Sequence, residues 1–418
     1  MFAPRSAYLH IPFCHRRCFY CDFAVVPLGD RASAADGAPG SASIAAYVAL
    51  LQREIDASPG GPPLSTVYLG GGTPSLLSPE QVWALLDQLR RHYGLAPGAE
   101  ISMELDPASF DQQRLRGYLA AGINRISLGG QSFDDGVLEH LGRRHRQQHV
   151  HEAIAWLNAA LRKGDLDSWS LDLIQAVPGQ SRQAWQLQLQ LAIASAAPHL
   201  SIYELTLEPG TVFGKQAERG QLELPDDDLA ADLLELTSAR LAAAGYGHYE
   251  ISNYAKPGHS ARHNRVYWSG ADWWGFGMGA TSCNSGMRVA RPRSREAYES
   301  WVVELEQEPA ALMPPQTGGV AFDDRLLVGL RRREGIVMAE LLQQAGVAEP
   351  ASPLEHLRQQ LSHELDEGLL LIEGERWRLS DPAGLALSNA VLRTLLIWWD
   401  RVAPRPTDAT PARPVGAG

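Results

Sequence analysis

Cysteine is scarce: four residues in 418, of which Cys14, Cys18 and Cys21 crowd into eight positions while Cys283 stands alone. That number and crowding exclude a disulfide framework and suit a reducing compartment. Lysine is scarcer, with only Lys163, Lys215 and Lys256, so arginine carries the basic charge. This imbalance reads as genomic base composition rather than function. With 37 Lys and Arg against 48 Asp and Glu, the net charge of −11 has the wrong sign for general nucleic-acid binding. No apolar run approaches the roughly 18–20 residues needed to cross a bilayer. Met1–Ala7 lacks the apolar stretch of a secretory signal. The expectation is a cytoplasmic protein with no integral membrane segment and no nucleic-acid partner. At 45% hydrophobic and 20% charged the chain is of ordinary globular composition, long enough for one large domain and a smaller one.

What the chain does have is a concentration of chemistry near its start, Tyr8-Leu-His-Ile-Pro-Phe-Cys-His-Arg-Arg-Cys-Phe-Tyr-Cys-Asp-Phe. The spacing C-x3-C-x2-C offers three thiolates, one short of the set that closes an iron–sulfur cubane. A cluster held this way keeps one iron open to a small-molecule ligand. The alternative is structural zinc with His10 or His15 as fourth ligand. Zinc sites, however, usually pair C-x2-C with a second pair further on, and none follows here. Cys283 is most simply a small buried residue.

Along the chain, strands alternate with helices. Strands are predicted at Ala7–Ile11, Thr66–Leu69, Glu100–Glu104, Arg125–Leu128, Ser168–Ile174 and Leu200–Leu207. Helices are predicted at Ile44–Ala57, Pro79–Tyr93, Phe110–Ala121, Asp134–Leu141, His149–Leu161, Arg182–Ala194 and Leu229–Ala244, with residues 28–43 a loop. Such alternation implies an α/β fold with parallel strands and helical crossovers. The glycine run Gly70-Gly71-Gly72-Thr73-Pro74, with Glu104, Gln131 and Asp172, falls at strand C-terminal ends, where such folds keep their chemistry. Periodicity alone does not separate a barrel from an open doubly wound sheet. After Phe322 the pattern becomes helices, a hairpin at Leu369–Ile372 and Arg376–Leu379, and a helix at Ala383–Trp399, which suggests a winged-helix α+β module. Between Phe322 and Asp381, seven Arg face twelve Asp or Glu with no Lys, a net −5 that opposes reading this module as DNA-binding. The expected divisions are 1–245, a connector at 246–317, the module at 318–399 and a disordered tail at 400–418.

The cysteine run, together with Met103-Glu-Leu-Asp-Pro, Arg125-Ile-Ser-Leu-Gly-Gly-Gln-Ser-Phe and Leu171-Asp-Leu-Ile, resembles the HemN/HemW branch of the radical S-adenosylmethionine (SAM) proteins. The resemblance covers nearly the whole chain and implies a partial (β/α)6 barrel. It implies a 4Fe-4S cluster on Cys14, Cys18 and Cys21. It implies SAM bound by Tyr8, Tyr20, Gly71, Gly72, Thr73, Glu104, Gln131, Arg143 and Asp172. On the branch's pattern, the glycine run meets the methionyl amine and Arg143 pairs with the carboxylate, for which a planar guanidinium is suited. Glu104, Gln131 and Asp172 meet the ribose and methionyl parts, and Tyr20 the adenine. The departures at Gly129-Gly130 and Ile174-Gln-Ala-Val touch no proposed ligand and bear on packing only.

Two features divide the branch. Its dehydrogenases resemble C-x3-C-x2-C-x-C and carry a substantial segment before the cysteines. Here Phe23 stands at the extra cysteine's position, and thirteen residues precede Cys14. The run His263-Asn-Arg-Val-Tyr-Trp268 matches the H-N-x-x-Y-W signature of the haem-chaperone members. The resemblance therefore implies haem bound through His263, Tyr267 and Trp268, and passed to an acceptor protein that the sequence does not identify. A homodimer is compatible with the sequence. The alternative is an oxygen-independent coproporphyrinogen III dehydrogenase that decarboxylates two propionates.

Overall fold

The computed structural model describes residues 3–309 and 322–403. Contacts divide the chain into two units, Met1–Gly318 and Gly319–Gly418. Six strands carry the first: β1 (Ser6–Ile11), β2 (Leu64–Gly71), β3 (Leu95–Leu105), β4 (Arg125–Gln131), β5 (Ser168–Gln175) and β6 (His199–Glu204). Each pairs parallel with the next in chain order. The crossovers run through α1 (Ser41–Ala57), α2 (Pro79–His92), α3 (Gln112–Ala121), α4 (Asp135–His140), α5 (Gln147–Lys163) and α6 (Arg182–Ala194). Three short strands extend the sheet to nine. Trp274–Phe276 lies beside β1, and Asn253–Ala255 then Gly247–Glu250 lie beyond β6. The six-unit α/β arrangement expected from the alternation is present. Among the described residues the sheet stays open rather than closing on itself.

Strand alternation sets the two faces apart. Leu9, Val67, Leu69, Ile101, Met103, Ile126, Leu128, Trp169, Leu171, Leu200 and Ile202 are buried in one apolar core with α1–α6 residues such as Leu51, Leu85, Leu115, Leu157 and Trp185. The alternate positions are polar or small: Ser6, Tyr8 and His10 on β1, Thr66, Tyr68 and Gly70 on β2, Glu100, Ser102 and Glu104 on β3. The series continues with Arg125, Ser127 and Gly129 on β4, Ser168, Ser170 and Asp172 on β5, and His199, Ser201 and Tyr203 on β6. A barrel interior is usually filled by branched apolar side chains. Here the inner face instead offers hydroxyls, carboxylates and rings.

Helix starts follow ordinary capping chemistry. Ser78 and Gln81 form a reciprocal capping box at α2, and Asp111, Asp134 and Ser181 cap α3, α4 and α6. The glycine-rich run after Trp274 is fastened to α1 by a buried carboxylate. Glu54, with no solvent exposure, accepts from the Gly277 N–H at 2.7 Å, the Arg291 Nε at 2.8 Å and the Tyr298 hydroxyl at 2.5 Å. Removing one partner of so buried a pair typically costs about 3–5 kcal/mol.

Some boundaries differ from expectation. β3 begins at Leu95, because Pro97 and Gly98 sit inside the strand rather than before it. The strand at 200–207 ends at Glu204, and Leu205, Thr206 and Glu208 beyond it line a cavity. The H-N-x-x-Y-W run forms a short helix, Arg262–Trp268.

The second unit has its own core around Leu326, Leu342, Leu357, Trp377, Leu395 and Trp398. Its three-stranded sheet (Ile336–Val337, Arg376–Leu379, Leu370–Glu373) is accompanied by helices, the last running Ser388–Val402. The tail expected from 400 starts too early, since the last helix continues through Val402; its remainder lies outside the described residues from 404 onward, and the end of the expected connector does so from 310. Among the described residues no helix is long and apolar enough to cross a membrane.

Candidate cofactor site

The C-terminal ends of β2–β6 and the cysteine loop that follows β1 surround a cavity of about 370 Å³. Eleven predicted residues line it: Cys14, Cys18, Cys21, Tyr20, Gly71, Gly72, Thr73, Glu104, Gln131, Arg143 and Asp172. They come from the ends of four strands, β2 to β5, and from the cysteine loop and the Arg143 loop, far apart in sequence.

The cysteine loop and the glycine run are joined by their backbones. Gly72 N–H donates to Ile11 O at 2.8 Å and Thr73 N–H to Phe13 O at 2.6 Å. Glycine is required at 72. A Cβ there would stand 2.7 Å from Phe13 O and 2.9 Å from Cys14 Sγ. Gly71 adds a positive φ of 113°. All three cysteines are free and half-buried. Burial pushes the Cys14 thiol up to about 12, against a weaker downward pull from the Thr73 hydroxyl, and raises Cys21 as well. Both are thiols unless a metal draws off the proton. Among the described residues no three His, Cys, Asp or Glu side chains converge as a single ion would need. A cubane asks for one thiolate per iron, a wider arrangement. Three free sulfurs opening on one cavity beside a glycine cradle fit that group.

The carboxylates are held by the inner face. Glu104 accepts from the Tyr68 hydroxyl at 2.9 Å and from the Gly71 N–H at 3.0 Å. Burial pushes its carboxyl up to about 7; the two donors oppose this, and neighbouring Asp172 adds to it. Asp172 accepts from Ser127 at 2.7 Å and Ser170 at 3.0 Å, and burial again raises it. Gln131 ends β4 with a positive φ of 61°, which turns the chain into the cavity rim.

Arg143 is tied from below. Its Nη2 donates to Asp106 at 2.7 Å and to Gly129 O at 3.1 Å, and its Nη1 reaches Cys18 Sγ at 3.5 Å. Burial alone would raise Asp106, but Arg143 and His145 outweigh it and hold that carboxyl well below the usual range. Gly129 thus touches a proposed ligand, which corrects its reading as packing only. The inner-face residues Tyr68, Ser127 and Tyr203 and the β3-end Asp106 also line the cavity. Sequence reasoning passed over them, although the period-two polar positions of β2, β4 and β6 carry the signal for the inner-face three.

The other predicted residues lie elsewhere. Tyr8 is absent from the cavity wall; its hydroxyl meets His10 Nδ1 at 3.0 Å, and His10 Nε2 in turn meets Ala24 O at 2.9 Å. His263, Tyr267 and Trp268 do not line the cavity either. His263 is 1% exposed, with Nδ1 on Thr66 Oγ1 at 2.8 Å and Nε2 on the Tyr267 hydroxyl at 2.8 Å. Burial lowers it to about 3, so the ring is neutral. The expectation of a ligand presented to haem iron meets a ring with both nitrogens occupied. Phe23, by contrast, lines the cavity and is 52% exposed.

The radical SAM superfamily profile matches residues 8–188. The heme chaperone HemW of Synechocystis is 39% identical over 94% of this chain and 96% of its own length. The chain belongs to the HemW family of radical SAM proteins. HemW of Mycobacterium tuberculosis is 36% identical, covering 94% of this chain and 95% of its own. Among solved structures, the radical SAM enzyme coproporphyrinogen III oxidase (HemN) of Escherichia coli superposes with a TM-score of 0.72. It covers 96% of this chain and 90% of its own at 22% identity, a likeness of fold alone. Membership of the radical SAM superfamily implies a 4Fe-4S cluster and SAM, and the cavity's donor set is of the kind they require.

Proposed function

We propose that this chain is a haem chaperone: it binds haem and hands it to an acceptor protein, and it carries a 4Fe-4S cluster and SAM in the strand-end cavity. The relation to HemW proteins along nearly the whole chain carries the reading. Cys14, Cys18 and Cys21 would hold the cluster, which when bound supplies an electron to the SAM sulfonium. The chain's own residues would do the rest. The Gly71–Thr73 backbone leaves room for close approach. Arg143 keeps a buried Nε with no partner among the described residues, a donor suited to a carboxylate. Glu104 and Asp172 are acceptors fixed by hydroxyls and a backbone N–H, which suits them to ammonium and ribose groups.

The alternative, a coproporphyrinogen III dehydrogenase, draws on the HemN fold. Phe23 speaks against it, since it places an apolar ring at the cavity where the dehydrogenases carry a further cysteine. The test is incubation of the anaerobically reconstituted protein with coproporphyrinogen III, SAM and a low-potential reductant. No protoporphyrinogen above background is expected. Steady turnover would overturn the chaperone reading in favour of the enzyme.

A further inference from the structure

The H-N-x-x-Y-W helix packs against the inner face beneath the cavity. Glu100 of β3 accepts the backbone N–H groups of Arg262 at 3.0 Å and His263 at 2.9 Å, which pins the start of the helix. The His263 ring then bridges the hydroxyls of Thr66 and Tyr267. Its face lies against Tyr68, centroids 5.2 Å apart and planes 21° apart, and its edge meets Tyr267 at 5.1 Å and 88°. Tyr267 is braced in turn by Trp273, 4.8 Å away and perpendicular. Tyr8 also packs beside Tyr68, centroids 6.2 Å apart and planes 22° apart.

Tyr68 is the only residue of this stack that reaches the cavity. Its hydroxyl donates to Glu104, whose other oxygen accepts the Gly71 N–H. A tyrosine side chain has more than one staggered χ1 rotamer and a broad χ2 open to it, and its packing neighbours select among them. Here His263 and Tyr8 both pack close to the ring, in near-parallel planes.

We infer that His263 is a positioning residue of the SAM site: clamped by Thr66, Tyr267 and Glu100, it fixes the Tyr68 ring, and Tyr68 aims Glu104 at the glycine turn. The inference rests on the reading that SAM occupies this cavity. It gives the signature motif a place behind the wall of that site, acting through Tyr68. The neutral imidazole has one donor and one acceptor nitrogen, and the two hydroxyls use both. Ligation of haem iron by this ring would first have to break one of these two buried bonds.

The experiment measures SAM affinity by calorimetry on anaerobically reconstituted protein, with iron content and the haem Soret band read on the same samples. His263→Ala and Tyr68→Phe are each expected to weaken SAM about tenfold, the scale of one hydrogen bond to a charged group. Both should keep their iron. The double variant should be no more than about twofold weaker than either single one, since the two residues act in series. His263→Phe restores a ring against Tyr68 and should recover most of the affinity, a rescue that a general loss of stability would not give. The Soret band should survive His263→Ala. Unchanged SAM affinity in His263→Ala, fully additive losses in the double variant, or loss of the Soret band would each overturn the inference. If His263→Ala does not fold, Tyr68→Phe with His263→Phe still decides it: the inference requires loss in the first and near-native affinity in the second. A wild-type protein that takes up iron but binds no SAM would instead bring down the SAM reading itself.

Discussion

Glu104 shows what a single side chain contributes here. Its carboxyl is pushed up to about 7 from an ordinary 4.5. In the window between those values the folded chain keeps a proton that the unfolded chain releases. Stability therefore falls as pH rises through that window, and the loss is complete above the folded value. The size is on the order of 2–3 kcal/mol after allowing for its partial contact with solvent. Glu104→Gln removes this dependence. Urea denaturation of the metal-free protein should show the variant gaining about that much on wild type between pH 5 and pH 8. A difference that stays constant across the range would mean that Glu104 titrates normally. At this scale the sequence was partly legible. Glu104, Asp172 and Arg143 stand in motifs that resemble a known branch. Asp106, two residues after Glu104, was hidden because a carboxylate that anchors an arginine looks in sequence like any other. His263 was legible as a marked residue but not as a buried one. Its partners Thr66 and Tyr267 lie 197 and 4 residues away, and only the fold unites the first with it.

At the scale of elements, most helices and all six parallel strands were legible, because apolar residues recur at helical spacing or run continuously along strands. The short elements were not. The helix Arg262–Trp268 and the hairpin of Thr281–Asn284 with Met287–Ala290 have too few residues for a period to emerge. The pairing of the glycine run with the cysteine loop was also beyond reach, since it depends on Gly72 passing Cys14 with no room for a methyl group. That contact yields a prediction. Gly72→Ala should displace the Cys14 side and lose iron on anaerobic reconstitution, as should alanine at Cys14, Cys18 or Cys21. Cys283→Ala should keep about four irons per chain. Full iron uptake by Gly72→Ala would show that the turn is not a constraint on the cluster loop. Stoichiometric zinc with no labile sulfide in the wild type would end the cluster reading.

For the whole molecule, each of the two units has an apolar core of its own, and the polar inner face of the sheet leads up to the strand-end cavity. The cavity's donor set fits a cluster and SAM, and the H-N-x-x-Y-W helix packs behind it against Tyr68, Thr66 and Glu100. What remains distinctive of the family is the haem that its curated relatives are named for. The most direct measurement is therefore an optical titration of haem into the anaerobically reconstituted full chain, with SAM present. The account predicts a saturable Soret band with a sharp end point at a fixed haem-to-chain ratio, retained when His263 is replaced by Ala and when coproporphyrinogen III is added in excess. A linear, non-saturating rise that matches haem added to buffer would contradict it.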